Sequence, residues 1–160
     1  MVIYIGADHR GFALKKTLVE ALKFNGYAVV DVGDEAYNEQ DDYVDYGMRV
    51  AERVSVDYEN NRGILLCGSG VGMCVTANKY LNVRAALVAT SDQAYDSRTD
   101  DDTNILCLGA DYLADAEVAK KIVLTWIQTP FSDEDRHRRR LEKIAQLEQK
   151  VFKPVHGEGE

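Results

Sequence analysis

Ile64-Leu65-Leu66-Cys67-Gly68-Ser69-Gly70-Val71-Gly72 is the stretch on which the fold turns. Its apolar half reads as a buried strand, and its glycine half as a tight turn opening a helix. Backbone amides at such a helix start point toward whatever sits above the turn, and they favour an anion. The glycines follow a Gly-x-Gly-x-Gly pattern, whereas the dinucleotide fingerprint is Gly-x-Gly-x-x-Gly. No acidic residue closes a following strand about 20 residues on, as that fingerprint needs. A nucleotide-binding domain is therefore disfavoured. Either a purely structural turn or an anion-binding loop fits the local pattern.

Working outward, short apolar runs alternate with helix-period segments. Val2–Ala7, Tyr27–Val32, Arg62–Cys67, Arg84–Ala89 and Asn104–Leu108 read as strands. Phe12–Asn25, Tyr43–Val56, Gly72–Tyr80, Ser91–Arg98 and Ala114–Thr129 read as helices, with Gly26 and Pro130 as stops. This rhythm predicts an α/β fold: a parallel five-stranded sheet covered by helices on both faces. A last helix is expected over Ser132–Lys150, with Ser132 as N-cap and Asp133, Glu134 and Asp135 in its first turn. It carries the block Arg136-His137-Arg138-Arg139-Arg140 and a narrow apolar stripe at Leu141, Ile144 and Leu147, as in a helix that packs on a partner subunit. Residues 1–150 read as one domain and 151–160 as a flexible tail.

A net charge of −8 argues against general nucleic-acid binding, which needs a basic surface. No run approaches the roughly 20 apolar residues of a membrane span, and the N-terminus lacks the form of a signal peptide. Three cysteines without metal-ligand spacing point to a reducing cytoplasm, with no metal site expected.

Ligands of parallel sheets bind at the carboxyl ends of the strands. That directs attention to Asp8 and His9, to the Cys67–Gly72 loop, to Ser91–Asp92 and to Gly109–Asp111. Cys67 ends a strand just before a helix start, where a thiolate can serve as base or nucleophile. Its other reading is a small buried hydrophobe, the one adopted for Cys74 and Cys107. Asp8 and His9 suit sugar hydroxyls or phosphate, or else a cap and a surface histidine. Arg136 and Arg140 share a helix face at i and i+4, and their forks suit phosphate.

Taken together, several segments resemble the ribose-5-phosphate isomerase B family, which includes the galactose-6-phosphate isomerase subunits. They are Ile5-Gly6-Ala7-Asp8-His9-Arg10-Gly11-Phe12, Asp42-Tyr43, Gly63 through Gly72, Ala77-Asn78-Lys79, Val83-Arg84-Ala85, Asp102-Thr103-Asn104 and Arg136-His137-x-x-Arg140. The resemblance implies a Rossmann-like three-layer sandwich, a homodimer or a tetramer with sites at the subunit interface, and no cofactor. It also implies isomerisation of an aldose or ketose phosphate through an enediolate. Cys67 would move the proton between carbons, with Ser69 assisting between the oxygens. Backbone amides of Gly68, Gly70, Val71 and Gly72 would hold the enediolate. Asp8, Tyr43 and Asn78 would contact the sugar, and His9, Arg136 and Arg140 the phosphate.

Two departures stand out. Asp100 occupies the place of the family's ring-opening histidine, with Asp101 replacing its Asn neighbour. Asp111 stands where many members carry a phosphate-binding Arg, so a phosphate there is expected to be repelled. The departures imply a shifted substrate, such as a tetrose, another pentose or a hexose phosphate, or an unphosphorylated sugar. Alternatively Asp100 itself opens the ring, at the site formed with Asp101. A different class of function, a non-catalytic sugar-binding subunit partnering an active paralogue, is the competing reading.

Overall fold

The computed structural model describes residues 1–113 and 115–152. The expected flexible tail falls almost wholly outside them, as does the expected start of the fifth helix at Ala114. Five parallel strands, β1 (Val2–Ala7), β2 (Ala28–Asp31), β3 (Asn61–Cys67), β4 (Ala85–Leu87) and β5 (Ile105–Gly109), form one sheet in the order β2-β1-β3-β5-β4. Six helices accompany it: α1 (Phe12–Phe24), α2 (Tyr43–Val56), α3 (Val71–Ala77), α4 (Ser91–Thr99), α5 (Ala116–Gln128) and α6 (Asp135–Val151). The α/β architecture expected from the alternation is the one observed.

The central strands are buried on both faces, which is why Ile64-Leu65-Leu66 reads as an unbroken apolar run. Leu18, Leu22, Ala94, Ile122, Val123 and Trp126 of α1, α4 and α5 join Ile3, Ile5, Ile64 and Leu66 in one core cluster. Tyr46, Val50, Val54, Met73 and Ala77 of α2 and α3 join Leu65, Cys67 and Cys107 in the other. The sheet thus lies between two helical layers.

Several elements differ from the sequence reading. The β4 strand shrinks to three residues, because Asn78 and Asn104 take over pairing around its start through their side-chain amides. The expected N-cap role of Ser132 is not realised. Asp133 takes a left-handed φ of 55°, which interrupts the approach, and α6 begins at Asp135 with Glu134 as a cap lacking a side-chain bond. Only Asp135 of the three acids lies in the first turn. The Ser132 hydroxyl is instead 2.7 Å from His137 Nδ1.

The strand order reverses direction between β1 and β3, since the chain goes from β1 outward to β2 and returns to the other side for β3. A crevice opens at such a switch point, beyond the carboxyl ends of the two strands. Asp8 and His9 leave β1 there, and Cys67 to Gly72 leave β3.

Candidate active site

Cys67 ends β3 with 4% of its surface exposed. The turn after it reverses tightly because Gly70 adopts a left-handed φ of 76°, and its amide donates to Cys67 Sγ at 3.1 Å. That N–H is a donor a sulfur anion can use. The Val71 amide donates to Ser69 Oγ at 3.3 Å. Among the described residues, the amides of Ser69 and Gly72 have no protein acceptor. The loop is pinned to the turn after β5: Ala110 N donates to Cys67 O at 2.9 Å and Asp111 N to Gly68 O at 3.0 Å.

Asp8 is buried, and its Oδ1 accepts the amides of Arg10 at 3.0 Å and Gly11 at 3.1 Å. Burial pushes its carboxyl above the usual carboxylate value, against the pull of the Gly11 amide. Gly11 is required at this bend, because a Cβ would sit 2.7–2.9 Å from Leu66 atoms, including backbone. His9 Nδ1 lies 2.6 Å from Asp41 Oδ1, and that hydrogen bond raises the imidazole pKa above 6.5. The Tyr43 ring, at the start of α2, lies over Gly72, where a Cβ would come within 2.6 Å of its Cε2. Asp8, His9, Tyr43, Cys67, Ser69, Gly68, Gly70, Val71 and Gly72 therefore gather at one edge of the sheet.

The remaining candidates do not join them. Helices running back along a parallel sheet end at the opposite edge, and α4 delivers Asp100 and Asp101 there, just before β5. The segment before α6 is tied to the same place, with Ser132 N donating to Thr99 O at 3.2 Å. His137 is 2% exposed; its Nε2 lies 3.6 Å from Asp100 Oδ1, and that atom has no hydrogen-bond partner among the described residues. Arg136 and Arg140 stand beside it on exposed faces of α6. From Asn61 to Cys67, β3 climbs about 20 Å at the ordinary strand rise, so one copy of the chain separates the two groups by roughly that distance. Asn78, expected to touch the sugar, also lies at this far edge. Its amide donates to Ala85 O at 2.9 Å and accepts from Ala85 N at 2.9 Å, which ties α3 to β4. That pairing gives the amide a structural role in tying α3 to β4.

Asp111 is not the isolated negative charge that the sequence suggested. The Arg10 guanidinium forms an ion pair with its carboxylate across the mouth of the crevice. Sequence reading passed over Arg10, Asp41 and the buried side of His137. Arg10 follows a strand end next to His9, which is the one local signal that marks it. Among the described residues, no group of three or more His, Cys, Asp or Glu is placed to hold a metal ion. No helix among them is long and apolar enough to cross a membrane.

Comparison with known proteins shows the family and the fold. Residues 3–144 match the ribose/galactose isomerase family. The chain is 40% identical over 149 residues to a probable ribose-5-phosphate isomerase B of Mycoplasma genitalium, covering 93% of this chain and 97% of that protein. It is 38% identical over 148 residues to ribose-5-phosphate isomerase B of Escherichia coli, covering 92% and 97%. A crystal structure of the M. genitalium enzyme with bound ribulose-5-phosphate superposes with a TM-score of 0.90 at 38% identity, covering 94% and 97% of the two chains. A Clostridium thermocellum ribose-5-phosphate isomerase B superposes with a TM-score of 0.87 at 41% identity, covering 94% and 99%.

Proposed function

Because this chain belongs to the ribose/galactose isomerase family, we propose that Cys67 is the base of an aldose–ketose isomerase acting on a sugar phosphate. The observation that carries the assignment is the placement of Cys67 at the switch-point crevice, with the Gly70 amide on its sulfur and the unpartnered amides of Ser69 and Gly72 beside it.

The chemistry follows from that placement. The thiolate lifts the proton from the carbon next to the carbonyl. Charge moves onto the carbonyl oxygen, and the free loop amides stabilise this enediolate at short range, where donors that need no reorganisation are most effective. The protonated sulfur then returns the proton to the former carbonyl carbon. Ser69 Oγ, exposed at the rim, passes a proton between the two oxygens. Asp8 keeps Oδ2 for a sugar hydroxyl while Oδ1 holds the turn, and Tyr43 closes the side over Gly72. His9, whose pKa Asp41 raises, faces the phosphate.

The far-edge residues enter from a second copy. A separation of about 20 Å excludes Arg136, Arg140, Asp100 and Asp101 of the same chain from the Cys67 crevice. A symmetric dimer that sets the α6 edge of one copy over the crevice of the other supplies the arginines to phosphate. The exposed apolar residues Ile144, Leu147 and Val151 of α6 fit such a contact. It brings Asp100, with the His137 imidazole behind it, to the position where a ring oxygen must be protonated. Ribose 5-phosphate is accordingly the first substrate to test, followed by tetrose and hexose phosphates.

Solvent deuterium exchange into that substrate panel checks the proposal. Wild-type protein should label the carbon beside the carbonyl in at least one sugar phosphate, and Cys67→Ala should not. Labelling that survives without the thiol removes Cys67 as the base.

A further inference from the structure

We infer that Arg10 is a phosphate-binding and specificity-determining residue of this site, and that Asp111 is the counter-charge that limits its grip. The inference rests on the isomerase reading above and adds to it a ligand from the same subunit as the base.

The guanidinium lies flat against Gly68, the residue after Cys67. A Cβ there would stand 2.6 Å from Arg10 Cζ and Nε and 2.7 Å from Nη1, so the approach depends on glycine. Arg10 Nη2 pairs with Asp111 Oδ2, from the turn after β5. The side chain remains 56% exposed. An arginine carries five N–H donors, and this pair uses one, which leaves a fork of donors over the loop that holds the reacting carbons.

The free donors of the fork suit an anion as the occupant. His9 adjoins Arg10, while Asp8, Asp41 and Asp111 are acids around the crevice. Two other cations on this side are engaged away from it: Lys15 Nζ is buried against Asp31 at 2.9 Å, and Arg49 leans on Asp34 at 3.7 Å. Arg10 and His9 thus face the crevice from consecutive positions. A phosphate dianion accepts two N–H donors from one arginine, a geometry that a neutral sugar end cannot match. Phosphorylated sugars are preferred for this reason, even though Asp111 places a carboxylate nearby.

A purely structural strap between the two turns would behave differently, and two variants separate the cases. As a strap, Arg10 and Asp111 depend on each other, so Arg10→Gln and Asp111→Asn both weaken the site. As ligand and counter-charge, they act in opposite directions. Calorimetry with inorganic phosphate and steady-state kinetics with ribose 5-phosphate give two readouts. Arg10→Gln should weaken phosphate binding by about tenfold and raise KM more than it lowers kcat. Asp111→Asn should tighten phosphate by about threefold or more, because it removes repulsion and frees the N–H it had engaged. Equal-direction effects, or phosphate affinity untouched by Arg10→Gln, overturn the inference. Cys67→Ala serves as the separate control. It should bind phosphate like the wild type, so a failure of the base assignment shows in isotope exchange and leaves the calorimetric result for Arg10 unaffected.

Discussion

Replacing Gly70 with alanine tests the loop at its tightest point. Gly70 has a φ of 76°, and a Cβ there would come within 2.5 Å of Leu87 Cδ1, 2.8 Å of Leu108 C and 2.9 Å of Gly109 N. The leucine tip can rotate away, but the two backbone atoms belong to β5 and cannot. The left-handed conformation costs an L-residue about 1–2 kcal/mol. Forcing a methyl group into a packed site adds about 1–3 kcal/mol. The sum is a loss of about 2–5 kcal/mol, read as a lower urea midpoint at unchanged slope. Gly26 supplies the calibration: its φ is 83°, yet nothing lies within 4 Å of a Cβ at that position. Gly26→Ala should therefore show only the conformational part, about 1–2 kcal/mol, with full activity. The difference between the two variants isolates the steric contribution of β5. Activity should follow, since displacing residue 70 withdraws the amide donated to Cys67 Sγ. If Gly70→Ala loses no more stability than Gly26→Ala, and turns over sugar phosphate normally, the close-packed loop is not what holds Cys67.

Other perturbations address the charges and the shared site. Asp41→Asn removes the negative charge of the acceptor that raises the His9 pKa, so the NMR titration midpoint of His9 should fall toward 6.5. In the folded wild type that interaction is fully present below about 6.5 and fades as pH rises through the raised value, so KM at neutral pH should rise in Asp41→Asn. Asp31→Ala strands the buried Lys15 ammonium with only the Asp34 carbonyl at 3.0 Å, and should cost about 3 kcal/mol in urea unfolding. Mixing Cys67→Ala with Arg136→Ala/Arg140→Ala, each inactive alone, should restore about a quarter of wild-type activity after subunit exchange. Half the dimers are then mixed, and each holds one intact site. No recovery on mixing would place both groups of residues in one copy.

Much of this was legible from residues. The Tyr43–Val56 helix begins and ends where its pattern does, because Asp42 caps it and the apolar positions Tyr46, Val50 and Val54 recur on one face. The Cys67 loop announced itself through glycines that have no role in a strand or helix interior. The Arg10–Asp111 pair was not legible, since it joins residues 101 positions apart and each looks like a surface charge alone. The bonds of Asn78 to the backbone of Ala85 were not legible for a related reason: an amide at a helix end looks the same in sequence whatever it faces. Ser132 resembled a cap, but the left-handed Asp133 turned it toward His137 instead. Contacts of this kind depend on where the elements come together, which local periodicity does not encode.

The placement of Cys67 and of the α6 arginines at opposite edges of the sheet has a consequence for how catalysis responds to dilution and to gene duplication. In the dimer proposed above, a folded monomer would carry parts of two reaction centres and the whole of neither. Lowering the protein concentration below that dimer's dissociation constant should then silence turnover. Inheritance follows the same logic. In such a dimer, a duplicated copy that lost its thiol would keep a basic helix for its sister, so the two copies could diverge into unequal partners.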